Sequence, residues 1–194
     1  MARTKEFDPE AALQSALELF WQRGYEATSM ADLVEHLGIG RASIYATFGN
    51  KHELYLKAMD RYVEGRDQLL IAELSQPGPV LPAVRAVVRR FASEATSLEG
   101  RLRGCLITNT ATELAPHDPA AARRVELSWD HIETPLHSAL IRAQAQGELP
   151  EDRDPRALAR MLLVMFQGVR VVGKASSDPA RVRDAAEQAL TLLD

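Results

Sequence analysis

At 194 residues, with 46% apolar and 26% charged side chains, the chain can bury a sizeable core and has the make-up of an ordinary globular protein. Its single cysteine, Cys105, excludes an intrachain disulfide and fits a cytoplasmic home. The net charge of −4 argues against nucleic-acid binding if read globally, but Gly38 to His52 holds Arg41 and Lys51 and no acid, and DNA needs a positive patch rather than a positive protein.

The stretch Met1–Glu10 is polar and lacks the apolar centre of a signal peptide. The longest apolar run, Met161–Val172, is interrupted by Gln167 and Arg170, so it falls short of the ~18 residues that a membrane span requires. Neither targeting nor membrane insertion is expected.

Apolar residues recur at three- and four-residue steps and β-like alternation is nearly absent, which predicts an all-α fold. Asp8-Pro9 opens the first helix as cap and first-turn proline. Ala12, Leu13, Ala16, Leu17 and Phe20 form its buried stripe, and Gly24 ends it. Ser29 caps a second helix, with Asp32 at the capping-box position and Met30, Leu33, Val34 and Leu37 inward. Gly38 forces a turn. A short helix from Arg41 to about Thr47 follows, with Ile44 and Phe48 inward. Asn50 caps a longer helix reaching the low seventies, with Leu54, Ala58, Tyr62 and Leu69 on its apolar face.

Gln76-Pro77-Gly78-Pro79 is the clearest break in the chain. Beyond it, about five helices are expected over 80–97, 104–115, 119–146, 155–175 and 179–193. Three of them start at the cap-plus-proline pairs Asp118-Pro119, Asp154-Pro155 and Asp178-Pro179. Pro135 is expected to kink the third, and Gly147 to end it.

Residues 29–48 carry the marks of a helix-turn-helix. The second helix presents Arg41, Ala42, Ser43, Ala46 and Thr47 outward. Small residues on such a face let a backbone approach the major groove, where arginine can bind a guanine edge through two hydrogen bonds. Tyr45 has a polar tip suited to a phosphate. Lys51, in the first turn of the next helix, combines its charge with free N–H groups. Spacing alone leaves open a plain helical hairpin with a solvated arginine.

The segment Thr28 to Tyr55, with Ala16 to Tyr25 before it, closely resembles the signature of the TetR/AcrR family of transcriptional regulators over about residues 8–57. The resemblance implies an N-terminal three-helix DNA-binding domain over 1–55 and a C-terminal helical domain for effector binding and dimerisation over 56–194. It further implies a homodimer on a near-palindromic double-stranded DNA operator. Arg41, Ala42, Ser43, Ala46 and Thr47 would then face bases, Thr28, Tyr45 and Lys51 would hold phosphates, and His52 would add a phosphate contact. One departure is Gly40, which stands where the family often has a serine cap.

By the same resemblance, the C-terminal half supplies a dimer interface and a cavity for a small-molecule inducer. Two apolar stripes are candidates for the interface. One holds Leu158, Met161, Leu162, Met165, Phe166 and Val169, and the other Val182, Ala185, Ala186, Ala189, Leu190 and Leu193. Candidate cavity residues are Phe91, Asn109, Thr112, Trp129, Ile132, Leu136, Met161, Met165 and Phe166; aromatics and methionines suit an adaptable apolar pocket.

The run Arg103-Gly-Cys-Leu-Ile-Thr-Asn-Thr-Ala-Thr-Glu-Leu114 resembles a motif of one branch of these C-terminal domains. Cys105 lies near a helix start, with Arg101 and Arg103 close in sequence, and both features favour a thiolate that an electrophile could modify.

An enzyme is not expected. No pair among His36, His52, His117, His131 and His137 has the spacing of a helical metal site, and phosphate-loop and Gly-x-Ser-x-Gly motifs are absent. No cofactor or metal is called for. A rival reading is a helical protein-interaction module that keeps the DNA-binding head without reading sequence.

Overall fold

A computed structural model describes residues 7–194 of the chain, apart from the side chains of residues 66 and 67. Most of the polar start noted above, residues 1–6, therefore lies outside the described residues.

Ten α-helices follow one another with no strand among the described residues. They are α1 (Pro9–Arg23), α2 (Met30–Leu37), α3 (Arg41–Phe48), α4 (Lys51–Leu74), α5 (Val80–Thr96), α6 (Leu98–Arg103), α7 (Leu106–Glu113), α8 (Pro119–Ala145), α9 (Pro155–Ala175) and α10 (Ala180–Leu190), closed by a 3-10 turn over Thr191–Leu193. No described helix is long and apolar enough to cross a membrane.

The local signals work as side-chain chemistry requires. Asp8, Asp118 and Asp154 each accept first-turn amides of α1, α8 and α9, and Pro occupies the first turn of all three. Ser29 with Asp32 and Asn50 with Glu53 form reciprocal capping boxes at α2 and α4. Gly38 ends α2 in the left-handed conformation at φ 66°, which a side chain would resist. At the end of α8, the amides of Gly147 and Glu148 return to the carbonyls of Gln144 and Ala143, the pattern that satisfies a helix's last carbonyls. Pro135, expected to kink α8, lies inside one unbroken helix.

Helix α6 was not foreseen. It is six residues long and buries none of them, so it shows no apolar periodicity to read. Ser97 starts it by accepting the Gly100 amide at 3.1 Å. The helix expected over 104–115 consequently begins at Leu106, after Cys105.

Two apolar groups form the interior. The first joins Phe20, Leu33, Ile44, Phe48, Leu54, Tyr55 and Met59 of α1–α4 to Leu106 and Ile107 of α7 and Ala121 and Val125 of α8. The second gathers α5, the later part of α8, α9 and α10 around Val84, Val88, Leu136, Leu140, Leu162 and Phe166. Leu69 is 49% exposed, and its neighbour Leu70 is the buried residue of that turn. The expected interface stripes also turn inward. Leu162, Phe166 and Val169 of α9, and Val182, Ala186, Ala189, Leu190 and Leu193 at the C-terminus, are buried within the chain. The large apolar residues left outside on these elements are Val164, Val171, Val172 and Leu192, and Ala185 of the second stripe is exposed as well. Periodicity identifies an apolar face, and two faces of α9 are apolar.

Helices α9 and α5 approach so closely at Gly173 that an added Cβ would meet the Ala95 carbonyl oxygen at 2.3 Å. Gly65, in the middle of α4, has open space around it. Thermal or denaturant unfolding should therefore find Gly173→Ala destabilised by about 1–3 kcal/mol through overpacking against a backbone that cannot turn aside. Gly65→Ala should gain about 0.5–1 kcal/mol from helix propensity.

Candidate DNA-binding helix and effector cavity

Helix α3 stands on Ile44 and Phe48, both buried, while Arg41, Ala42, Tyr45 and Ala46 are exposed and Ser43 and Thr47 half-buried. Its outer face is thus short side chains around one guanidinium and one phenol. Arg41 Nη2 donates to the Tyr45 hydroxyl at 3.2 Å, and its guanidinium lies 5.6 Å from the ring centroid. Gly40 caps the helix with no side-chain hydrogen bond. Lys57 of α4 donates to the Phe48 carbonyl at 3.0 Å, which holds the C-terminal end of α3 against α4.

Three of the expected phosphate-binding residues are engaged inside the protein. Thr28 is fully buried, and its hydroxyl donates to the Gly24 carbonyl at 2.7 Å. Lys51 Nζ donates to the carbonyls of Tyr25 at 2.8 Å and Thr28 at 2.9 Å, and sits 4.1 Å from the Tyr25 ring centroid. His52 Nε2 pairs with Asp118 at the start of α8. The side chains of Thr28 and His52 are therefore withdrawn as phosphate ligands: one has no exposed surface and the other a carboxylate partner.

The Gly-Cys-Leu motif resolves into a seam between the two halves of the chain. Gly104, at φ 68°, lends its carbonyl to Trp21 Nε1 of α1 at 3.1 Å. An added Cβ there would lie 2.9 Å from Lys174. Asn109 Nδ2 donates back to the Arg103 carbonyl at 3.1 Å, satisfying the end of α6. Glu113 accepts the backbone amides of Tyr25 at 3.2 Å and Glu26 at 2.9 Å. One end of α7 therefore touches α1, and the other clamps the α1–α2 loop. Glu113 was weighed in the sequence only as a possible catalytic carboxylate. Nothing in the sequence signals its role, because its partners are main-chain groups 87 and 88 residues away.

A cavity of about 260 Å³ opens between α4, α5, α7, α8 and α9. Of the candidates, Phe91, Cys105, Trp129 and Ile132 line it. The others do not. Leu136 and Phe166 are sealed in the core, and Met161 and Met165 pack against it. Asn109 serves α6, and Thr112 donates to the Asn109 carbonyl within its own helix. The cavity wall also holds polar groups the sequence reading missed: Arg90, Glu94, Ser128, Gln167 and Arg170. Arg170 and Gln167 had been noted only as interruptions of an apolar run, and that interruption was their signal.

Arg170 is 8% exposed. It bonds Glu94 at 3.3 Å and lies 4.9 Å from the Phe91 ring centroid. Arg90 holds Glu94 at 2.7 Å and takes Glu73 through two hydrogen bonds. Phe91 stacks on Phe166 with centroids 3.9 Å apart. Tyr62 donates its hydroxyl to Cys105 Sγ at 3.4 Å. Burial pushes the Cys105 thiol up, but the Arg170 charge, the Tyr62 hydroxyl and Thr108 outweigh it and hold the thiol below its ordinary range. Arg103, expected to act on the thiol, instead pairs with Glu99 and lies over Trp21. Among the described residues, no group of three His, Cys, Asp or Glu could hold a metal.

Asp118 links cap and seam. Burial raises its carboxyl, but the amides of Ala121 and Ala120 and the His52 ring outweigh that and hold it below the usual carboxylate range. A lowered carboxyl contributes stability above its unfolded value, and that stability is lost as pH falls through the folded value. Asp118→Asn, which keeps a capping oxygen and loses the charge, should flatten the acid limb of a stability–pH curve below about pH 4.

Comparison with known proteins adds independent observations. The family profile described as bacterial regulatory proteins, tetR family, matches residues 12–58, and the tetracyclin repressor-like C-terminal domain matches residues 80–189. The chain is 39% identical over 195 residues to the HTH-type transcriptional regulator YezE of Bacillus subtilis (strain 168), covering 100% of both. It is 33% identical to the HTH-type transcriptional repressor ComR of Escherichia coli (strain K12), covering 98% of this chain and 90% of that one. Among solved structures, a cysteine mutant of the TetR family regulator CifR, complexed with 26-bp operator DNA, superimposes with a TM-score of 0.85 at 28% identity, covering 98% of each chain.

Proposed function

The chain belongs to the TetR family of DNA-binding transcriptional regulators, and from that premise we propose that it is a homodimeric repressor that leaves its operator when the cavity is occupied or its thiol modified. The head over 1–55 binds DNA, and 56–194 receives the effector and dimerises. ComR's name as a repressor and CifR's structure on operator DNA support this reading.

The observation that carries it is the outer face of α3. It is exposed, built of small residues around Arg41, and set in a stretch free of acids from Gly38 to His52. Arg41, Ala42, Ser43, Ala46 and Thr47 meet base edges in the major groove, and Tyr45 meets a phosphate. Lys51 contributes chiefly through the start of α4. Its own amide and that of His52 have no partner within the helix by position, and they meet the phosphate there.

Two α3 helices must stand about one DNA turn apart to enter successive grooves. The outward residues of α9 and α10 supply the self-complementary surface. Val164, Val171, Val172 and Leu192 are exposed and apolar, with the small Gly168 and Ala185 between them. A cavity ligand that favours one spacing of the heads over another changes operator affinity by its differential binding to the two states.

Binding to a duplex from the gene's own upstream region, at two salt concentrations and against a scrambled duplex, tests the reading. Specific binding should weaken steeply with salt. Arg41→Ala should lose about 1–3 kcal/mol of operator affinity without loss of fold. Equal weak binding to both duplexes would contradict sequence reading by this head. Sedimentation should show a dimer that Val164→Glu converts to monomer by burying a charge in an apolar interface.

A further inference from the structure

This inference rests on the ligand-controlled reading above and names the chemistry of the ligand. The cavity is polar at one end and apolar at the other. Arg90 and Glu94 of α5 with Gln167 and Arg170 of α9 form the polar end, and Val63 and Leu70 of α4 with Trp129 and Ile132 of α8 form the apolar wall. Its volume, about 260 Å³, lies just below the ~300–1,000 Å³ of pockets for drug-sized ligands. A small molecule with one polar end and an apolar body fits such a space.

Donors exceed acceptors at the polar end. Arg90 is satisfied: it takes both Glu73 oxygens and one of Glu94. Arg170 is not. Its side chain is 8% exposed, yet its one carboxylate contact among the described residues is Nη2 to Glu94 at 3.3 Å, longer than the ~2.7–2.9 Å of a charge-assisted bond. Its Nε and Nη1 have no acceptor among the described residues, and both keep accessible surface. Three residues earlier on the same helix face, Gln167 accepts the Thr108 hydroxyl on Oε1 at 2.8 Å, which leaves its Nε2 a donor without an acceptor among the described residues.

Polar groups buried in folded proteins are paired almost without exception, and charged ones are costly when they are not. What these two side chains lack is an acceptor. A carboxylate answers best, because its two oxygens match the planar guanidinium and its charge acts strongly in a partly buried site. A cationic ligand finds no vacant partner, since Glu94 is shared by two guanidiniums. A second carboxylate on the ligand would face the apolar wall, which holds no cation. We propose that the cavity binds a small monocarboxylate with an apolar body, its carboxylate held by Arg170 and Gln167 and its body against Val63, Leu70, Trp129 and Ile132.

Such a ligand joins two elements that matter for the heads. Its carboxylate is held on α9, whose outer side carries Val164 and Val171. Its body rests on α4, whose first residue, Lys51, holds the carbonyls of Tyr25 and Thr28 beside the DNA-facing helices. The bound acid therefore favours one setting of α4 against α9, and that preference is the differential binding that shifts operator affinity.

The test is calorimetric titration of the full-length protein at about pH 7.5, where carboxylic acids are ionised, with benzoate and hexanoate, each beside its uncharged amide. In the wild type each acid should bind at least about tenfold tighter than its amide. Arg170→Met should abolish that preference. Gln167→Glu, which nearly keeps the shape and offers Arg170 a carboxylate from its own helix, should cut acid affinity about tenfold or more and leave amide affinity within about twofold; it decides the question even where Arg170→Met does not fold. Saturating acid should lower operator affinity about tenfold or more, and the amide at equal concentration should not. Equal binding of acid and amide, no binding of either acid, or an acid affinity that Gln167→Glu leaves intact overturns the carboxylate site and leaves the regulator reading standing. Acid binding with operator affinity unchanged overturns its role as effector. Failure of the unliganded protein to bind any operator contradicts the regulator reading instead, while the titrations still decide whether the carboxylate site exists.

Discussion

The loop between α1 and α2 is pinned from two sides, and the placement of the recognition helix depends on it. Glu113 accepts two of its amides, and Lys51 donates to two of its carbonyls. A carboxylate from the effector half and an ammonium from the start of α4 together satisfy a stretch of backbone that no helix can satisfy. Hydrogen bonds to charged groups are about twice as strong as neutral ones, so this loop is held more firmly than its irregular shape suggests. Helix α2 starts where the loop ends, and α3 follows after one turn. Whatever moves α7 or α4 therefore moves the DNA-facing surface. The remaining bridges, Trp21 to Gly104 and His52 to Asp118, join the same two halves nearby.

The cavity between α4, α5, α7, α8 and α9 is set into the other end of this arrangement. Its ion cluster is partly buried, where charges interact more strongly than in water and unpaired ones are costly. Arg170 is the clearest case: a guanidinium on a mainly apolar helix, held by Glu94 and an aromatic ring. Its presence changes the chemistry of the nearby sulfur. The same helix presents Val164 and Val171 on its outside. Helix α9 therefore serves the cavity on one side and offers an apolar surface for a second subunit on another. In the proposed function, occupation of the cavity and the spacing of two heads meet on this one element.

What the sequence revealed follows the range of each interaction. Helix starts were legible because a cap and the amides it receives lie two or three residues apart, as at Asp8, Asp118 and Asp154. Helix α3 was legible because its inward residues, Ile44 and Phe48, and its small outward ones separate within eight positions, whereas its DNA-reading role came from the family resemblance and not from spacing. Helix α6 was not, since a six-residue exposed helix has no apolar face to repeat. The apolar stripes of α9 and α10 were seen but misassigned, because periodicity cannot say what a face packs against. In the cavity, apolar type found Phe91, Trp129 and Ile132 but also chose Leu136 and Phe166, which fill the core behind it. The polar wall residues come from distant helices, and only their oddity in an apolar run could have marked them. Thr28, Lys51 and Glu113 act on main-chain groups, and the sequence pattern carries no trace of such partners.

The most direct test of the central claim is amide hydrogen exchange in the full-length Glu113→Ala variant, read beside its operator affinity. If the clamp sets the position of the head, the amides of Tyr25 and Glu26 lose protection and operator affinity falls. The core around Leu140 and Phe166 should stay as protected as in the wild type. Unchanged protection at Tyr25 and Glu26, or lost protection with undiminished operator affinity, would contradict the account and leave α4 and the bridges Trp21–Gly104 and His52–Asp118 to connect the two halves.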